Sequence, residues 1–158
     1  MGNLPVDDAE SLLRRTRELV GDDGAFLIGL DLVKDIEVME KAYDDAAGVT
    51  AEFNLNLLDR MKSELGAEVN RGDFRFQSGW NAARSTIESR IVAERPTGIV
   101  IDGTRFEFAP GDFIHTEDSR KFDLEEFLPH AEQHGFGSAR VWTDPRDRFA
   151  IVLLEAAG

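Results

Sequence analysis

Asp31–Leu65 reads DLVKDIEVMEKAYDDAAGVTAEFNLNLLDRMKSEL, and its reading decides the rest because it joins two halves of different period. Its centre, Ala42-Tyr-Asp-Asp-Ala-Ala-Gly-Val-Thr50, sets a phenol, carboxylates, a hydroxyl and small residues between two helical patterns. A polar interruption of that kind suits the floor of a ligand site. Ile36–Asp45 is helical by the spacing of Val38, Met39, Ala42 and Tyr43. A longer helix from about Thr50 to Leu65 sets Phe53, Leu57, Leu58, Met61 and Leu65 on one face, and Gly66 stops it.

Upstream, Leu4–Val20 repeats apolar residues at helical spacing through Ala9, Leu12, Leu13, Thr16, Leu19 and Val20. Asn3 is placed to cap it, Pro5 suits its first turn, and Gly21 ends it. Ala25–Leu32, AFLIGLDL, lacks alternation, as expected of a strand covered on both faces. Downstream the period falls to two. Ile87, Ser89, Ile91 and Ala93 face one way and Thr86, Glu88, Arg90, Val92 and Glu94 the other, which predicts a half-buried strand. Asp102-Gly103 between Ile99–Ile101 and Thr104–Phe108 predicts a tight hairpin, and with Phe74–Phe76 and Phe113–Glu117 an antiparallel sheet of about four strands results. Asp123 opens a last helix, Leu124–His134, with Glu126 placed for a capping box and Gly135 as its stop. Ala139–Thr143 and Phe149–Glu155 close the chain around the turn Asp144-Pro145-Arg146-Asp147. These two strands are expected to join Ala25–Leu32 in a parallel-type sheet whose carboxyl ends face a ligand. At most two strands are then available to lie beside Ala25–Leu32, so one sheet edge is expected to be bare and open to self-association or to a partner polypeptide.

The chain has 158 residues, a 42% hydrophobic fraction and 11 Phe, the profile of a globular domain. A net charge of −13 opposes binding to nucleic acid or to an anionic membrane surface. Without cysteine there are no disulfides, thiolate metal sites or thiol nucleophiles, in keeping with a cytoplasmic protein. No apolar run reaches the ~20 residues of a membrane helix.

For chemistry, Asp31, Lys34 and Asp35 follow the first strand and Trp142, Thr143 and Asp144 a later one. Helix capping and solvated charge account for the first group more simply than a ligand role does. Tyr43 lies one turn from Met39, so pattern alone admits either a core or a ligand role. Asn54 and Asn56 within a helix read most simply as exposed. His115, Glu117 and Ser119 alternate along one strand end. Glu117 with Ser119 makes a hydrogen-bonding pair for a planar polar group such as an imidazole, whereas three histidines in the whole chain are a weak basis for a metal site. Gly135-Phe136-Gly137 follows a helix, the wrong order for a dinucleotide loop, and no G-x-S-x-G is present.

Asp31-Leu-Val-Lys-Asp35, Ala42–Thr50, Phe53-Asn-Leu-Asn-Leu57, Thr116-Glu117 with Ser119 and Lys121-Phe122, and Val141-Trp-Thr-Asp-Pro145 together resemble the histidine-specific Nα-methyltransferases of ergothioneine biosynthesis. The resemblance implies an α/β chain: the C-terminal part of a Rossmann-like methyltransferase sheet, residues 1–35 and 123–158, with an inserted α+β antiparallel substrate-binding domain, residues 36–122. It implies S-adenosylmethionine as cofactor and the α-amine of histidine as acceptor. Asn3, as the end of the family's G-S-T-I-G-N motif, and Tyr43 would hold the carboxylate and amine, with Tyr43 in the catalytic role. Glu117 and Ser119 would grip the imidazole. Only Gly2-Asn3-Leu4 of that asparagine motif is present, Ser89 stands where the family usually has methionine, and the main cofactor loop is expected upstream. The alternatives are an amino-acid-binding module, a subunit that needs a partner, and an inactive truncated relative.

Overall fold

A computed structural model describes residues 1–157, without the side chains of Val6, Ser138 and Ala139. The elements are α1 (Val6–Val20), β1 (Ala25–Asp31), α2 (Ile36–Tyr43), α3 (Val49–Leu65), β2 (Phe74–Asn81), β3 (Thr86–Ala93), β4 (Thr97–Ile101), β5 (Thr104–Phe108), β6 (Phe113–Arg120), α4 (Leu124–Gln133), β7 (Phe136–Thr143) and β8 (Phe149–Ala156). The chain divides into two compact units, residues 1–35, 82–86 and 118–158, and residues 36–81 and 87–117. Residues 82–86 and 118–122 fall in the first of these units. Lys121 N bonds Ser85 O at 2.7 Å and Arg84 pairs with Asp118 at 2.7 Å, which ties these two stretches together.

In the first unit the strand order is β1-β8-β7, and both pairings are antiparallel. β1 and β7 therefore run in the same direction on either side of β8, and their carboxyl ends, Asp31 and Thr143, meet the start of β8 at Phe149 and Ala150. No two of these strands pair in parallel, a correction to the parallel-type sheet. Leu13 of α1, Phe127 and Ala131 of α4, and Leu30, Phe136, Val152 and Leu154 of the strands form its core. β1 is also not covered on both faces. It alternates, with Ile28 and Leu30 buried and Leu27 61% exposed, and it lies at the end of the strand order. Its uniform composition hid the alternation, because the outward residues Leu27, Ile151, Phe149 and Trp142 are as apolar as the inward ones.

The second unit holds a sheet of order β2-β3-β6 and a separate two-stranded ladder, β4-β5, where one sheet of about four strands was expected. The ladder turns at Asp102 and Gly103, both at positive φ (50° and 74°), as a two-residue turn of the primed type requires. Leu58, Ala67, Phe74, Ile91 and Ile99 form its core, and Phe74 meets Phe108 edge-on at 5.6 Å. β3 is buried along both faces except for Arg90, so its polar side is not the solvent side that alternation suggested. On α3 the inward stripe runs through Asn54 and Leu58, while Phe53 is 74% exposed and Leu65 is also exposed, rotating the expected face. α1 starts after Pro5 without a side-chain cap, so Asn3 does not cap it. At α4 Asp123 does cap, accepting from Glu125 N at 2.8 Å.

Candidate functional site

Of the candidate residues, Asn3 and Ser119 lie in the first unit and Tyr43 and Glu117 in the second. Ser119 is the best defined of the four. It lies near the end of β6, where Lys121, whose side chain is only 1% exposed, directs its ammonium to Ser119 Oγ at 2.9 Å and to Asp31 Oδ2 at 2.8 Å. Asp31 closes β1, and its other oxygen takes the Lys34 ammonium, which also donates to Arg148 O at 3.1 Å. The result is a row of alternating charge, Lys34, Asp31, Lys121, that ends on the Ser119 hydroxyl. Burial pushes the Asp31 carboxyl up, but the hydrogen bonds and charges of Lys121 and Lys34 outweigh it and hold the group below the usual carboxylate range.

This arrangement settles the role of Asp31. Its carboxylate is the counter-charge that a buried ammonium needs, since an uncompensated charge inside a protein is strongly disfavoured. Sequence alone assigns Lys121 no role. The available signal was a lysine directly followed by phenylalanine and flanked by an alternating polar strand end, which no periodicity rule separates from a surface lysine.

Asn3 sits in the segment that Gly2 fastens to β6. Gly2 O accepts from Arg120 N at 2.8 Å, and a Cβ on Gly2 would come within 3.3 Å of Arg120 O. A single backbone bond therefore sets the neighbours of Asn3 and Ser119 side by side. A depression of about 240 Å³ opens beside this segment, lined by Met1, Glu10, Arg120, Asp123, Glu126 and His130 among others.

In the second unit, Tyr43 is the last residue of α2 and is half-buried, with Met39 rather than Tyr43 carrying the buried contact of that helix. The turn after it is organised by Asp45, whose carboxylate accepts from Val49 N at 3.0 Å and Thr50 N at 2.9 Å. Those bonds to the opening of α3 hold the Asp45 carboxyl below its usual range. Asn54 is buried instead of exposed. It donates to Thr50 O at 3.0 Å and accepts from Thr116 Oγ1 at 2.6 Å, so it anchors the residue next to Glu117. Glu117 lines a depression of about 290 Å³ with Phe53, Asn54, Asn56, Leu57, Arg60 and Thr116. The exposure of Phe53 has its place here, as an apolar wall beside a carboxylate.

β3 carries a second buried charge. Glu88 accepts from Asn81 Nδ2 at 2.7 Å and pairs with Arg90, whose guanidinium also stacks over the Phe113 ring at 4.4 Å. Ser89 beside it is buried at 1% exposure. Gly135 has φ of +81° and terminates α4, so Gly135-Phe136-Gly137 is a helix end and the start of β7 rather than a phosphate loop.

Comparison with known proteins bears on what this arrangement serves. A family model described as histidine-specific methyltransferase, SAM-dependent, matches residues 1–156. A histidine N-alpha-methyltransferase of Mycolicibacterium smegmatis is 33% identical over 97% of this chain, and one of Mycobacterium tuberculosis is 30% identical over the same share; 48% of each relative is covered. Ergothioneine biosynthesis protein 1 of Schizosaccharomyces pombe is 23% identical over 86% of this chain and 18% of its own length. The chain spans about half the length of the bacterial relatives it matches.

Proposed function

Because the chain belongs to the family of histidine-specific, S-adenosylmethionine-dependent methyltransferases, we propose that it carries the substrate-gripping portion of a histidine Nα-methyltransferase, the C-terminal part of such an enzyme. The observation that carries this reading is the family match over residues 1–156. In this reading residues 1–35 and 123–158 form the edge of a Rossmann-like core and 36–122 most of the substrate domain. Asn3 and Tyr43 take the α-carboxylate and amine of histidine, and Glu117 and Ser119, two positions apart on β6, take its ring.

The cofactor, when bound, supplies a methyl group made electrophilic by its sulfonium. Among the described residues no glycine-rich loop stands between a strand and a helix to hold it, and the one G-x-G is a helix end. The residues of this chain therefore act on the substrate side. Their task is to hold the α-amine deprotonated and in line, since transfer to an amine depends on orientation more than on a covalent nucleophile. Tyr43 orients the amine and Asn3 fixes the carboxylate.

The test is mass spectrometry of the purified chain with S-adenosylmethionine and histidine, alone and with the N-terminal half of a bacterial relative. Mono-, di- and trimethylhistidine in the combined reaction support the reading, and their absence in both reactions counts against it. In the active mixture Tyr43→Phe should lower turnover about three- to tenfold, the size of one lost hydrogen bond. Unchanged turnover would remove Tyr43 from the site.

A second reading follows from the apolar outer face of the β1-β8-β7 sheet. Leu27, Trp142, Phe149 and Ile151 are all exposed there, a surface of the kind that partners cover. As a partner-requiring subunit the chain would bury this face and the β1 edge against another polypeptide. Gel filtration with and without the complementary half of a relative separates this from a self-sufficient monomer.

A further inference from the structure

We propose that His130 and His134 form a chelating pair for a divalent transition-metal ion of the zinc type at the carboxyl end of α4, bound through Nε2 of His134 and a ring nitrogen of His130. The pair lies wholly within the first unit, and the proposal does not rest on the methyltransferase reading.

A spacing of four residues on a helix brings two side chains onto one face, one turn apart. His130 belongs to the last turn of α4 and His134 is its C-cap. Their ring centroids are 4.6 Å apart, with the planes at 61°. Zinc-to-imidazole bonds are about 2.0–2.1 Å long, so two rings this close can share a single ion. Among the described residues the one hydrogen bond to either ring joins His134 Nδ1 and His130 O at 2.9 Å. A carbonyl only accepts, so Nδ1 carries the proton and the lone pair of the neutral ring lies on Nε2. A bond from the second ring nitrogen to a backbone carbonyl is the outer-shell contact that fixes tautomer and orientation in metal-bound histidines. Here that contact is part of the fold itself. Both residues are half-buried, which limits the side-chain freedom lost on binding.

The class of ion follows from the donors. Imidazole nitrogens suit zinc, nickel and copper(II), whereas magnesium and calcium take oxygen ligands. The chain has no cysteine to favour copper(I). Among the described residues no third histidine or carboxylate completes a metal-binding group, so water fills the remaining positions and the ion exchanges readily. The depression that His130 lines carries Glu10, Asp123 and Glu126 against Arg120 and the already paired Lys121, a surrounding that favours a cation. The chelate cross-links the last turn of α4 just before Gly135, whose carbonyl accepts from Arg17 Nε at 2.8 Å and from Ala157 N at 2.9 Å. An ion there stiffens the point where α1, α4 and the residue after β8 are joined.

The experiment is isothermal titration of the full chain with zinc chloride in a non-chelating buffer, for the unmodified protein, His130→Gln, His134→Gln and, as a control, His115→Gln. One ion per chain is expected for the unmodified protein and the control. Each of the other two variants should bind at least about tenfold more weakly, since loss of an outer-shell partner alone costs about 10–100-fold. No uptake by the unmodified chain, uptake that survives both α4 substitutions, or an equal loss in His115→Gln overturns the proposal. Melting without zinc checks that the variants are folded, and zinc should raise the midpoint of the unmodified chain but not theirs. A measurement of the imidazole ¹⁵N resonances needs no variant. Zinc should shift Nε2 of His134 and leave Nδ1 protonated, and loss of the Nδ1 proton would refute the assigned ligand atom.

Discussion

β1 and β3 make an instructive pair. β1 is apolar at almost every position yet presents half of itself to solvent, whereas β3 alternates polar and apolar residues yet is buried on both sides. The composition of a strand therefore does not report its burial. What admits a polar residue to an interior is a partner: Glu88 has Asn81 and Arg90, and its cost is met by those bonds. What leaves an apolar residue outside is only the lack of a covering layer. Leu27 is mostly exposed, although Leu30, three residues on, is completely buried.

The largest effect that would sharpen this contrast comes from β1 itself. Leu30→Ala should cost about 2–5 kcal/mol as a cavity in the first core. Leu27→Ala on the opposite face should stay within about 0.5 kcal/mol, and chemical denaturation of both variants measures the difference. Equal losses would mean that the outer face is covered in solution. Next in size is β3, where Glu88→Ala should cost about 1–3 kcal/mol by leaving buried donors unmatched. The Arg90 end of that pair is 37% exposed, which keeps the loss below that of a fully enclosed ion pair. If Glu88→Ala proves neutral by the same titration, partners are not what admits polar residues to β3.

The smallest effect concerns carboxylates that lie outside both strands and are only partly buried. Asp144 accepts from the backbone N–H groups of Arg148, Phe149 and Arg146, and Asp45 from those of Thr50 and Val49, which hold both carboxyls below their usual range. A carboxylate whose folded value is depressed contributes stability above the unfolded value, and that contribution disappears as pH falls through the folded one. Melting curves taken from neutral pH downward should therefore show a decline that is shallower in Asp144→Asn. An identical pH profile would show that these turn bonds carry no stability.

Much of the architecture was legible in the sequence. Helix starts and stops were visible because Asp123, Gly21, Gly66 and Gly135 perform local chemistry, and Asp102-Gly103 likewise announced its turn. The misreadings share one cause. Face assignments for β1, β3 and α3 require knowledge of what covers each face, and that is decided by residues far along the chain. Asn54 shows this well: it was read as exposed because its partner, Thr116, lies on β6. The candidate residues Asn3, Tyr43, Glu117 and Ser119 came from motif resemblance, and their proposed roles await the experiments above. Lys121 escaped because an ion pair between β1 and the end of β6 leaves no mark on the local pattern of either.

The pairing of β1 with β8 also constrains the order of events as the chain is made. Ala25 aligns with Glu155, so β1 leaves the ribosome long before the strand that completes it. Until then an apolar segment remains unpaired, open to mispairing with other chains. The Leu32–Phe122 bridge, with Val33 N bonded to Phe122 O at 3.0 Å, offers an earlier closure that gathers the exits of the inserted residues before β8 is available. Loop-closure entropy rises only slowly with length, so the interval of exposure weighs more than the final free energy. Mutations that loosen residues 36–81 should therefore show up first as aggregation during expression, before any change in the melting of the finished protein.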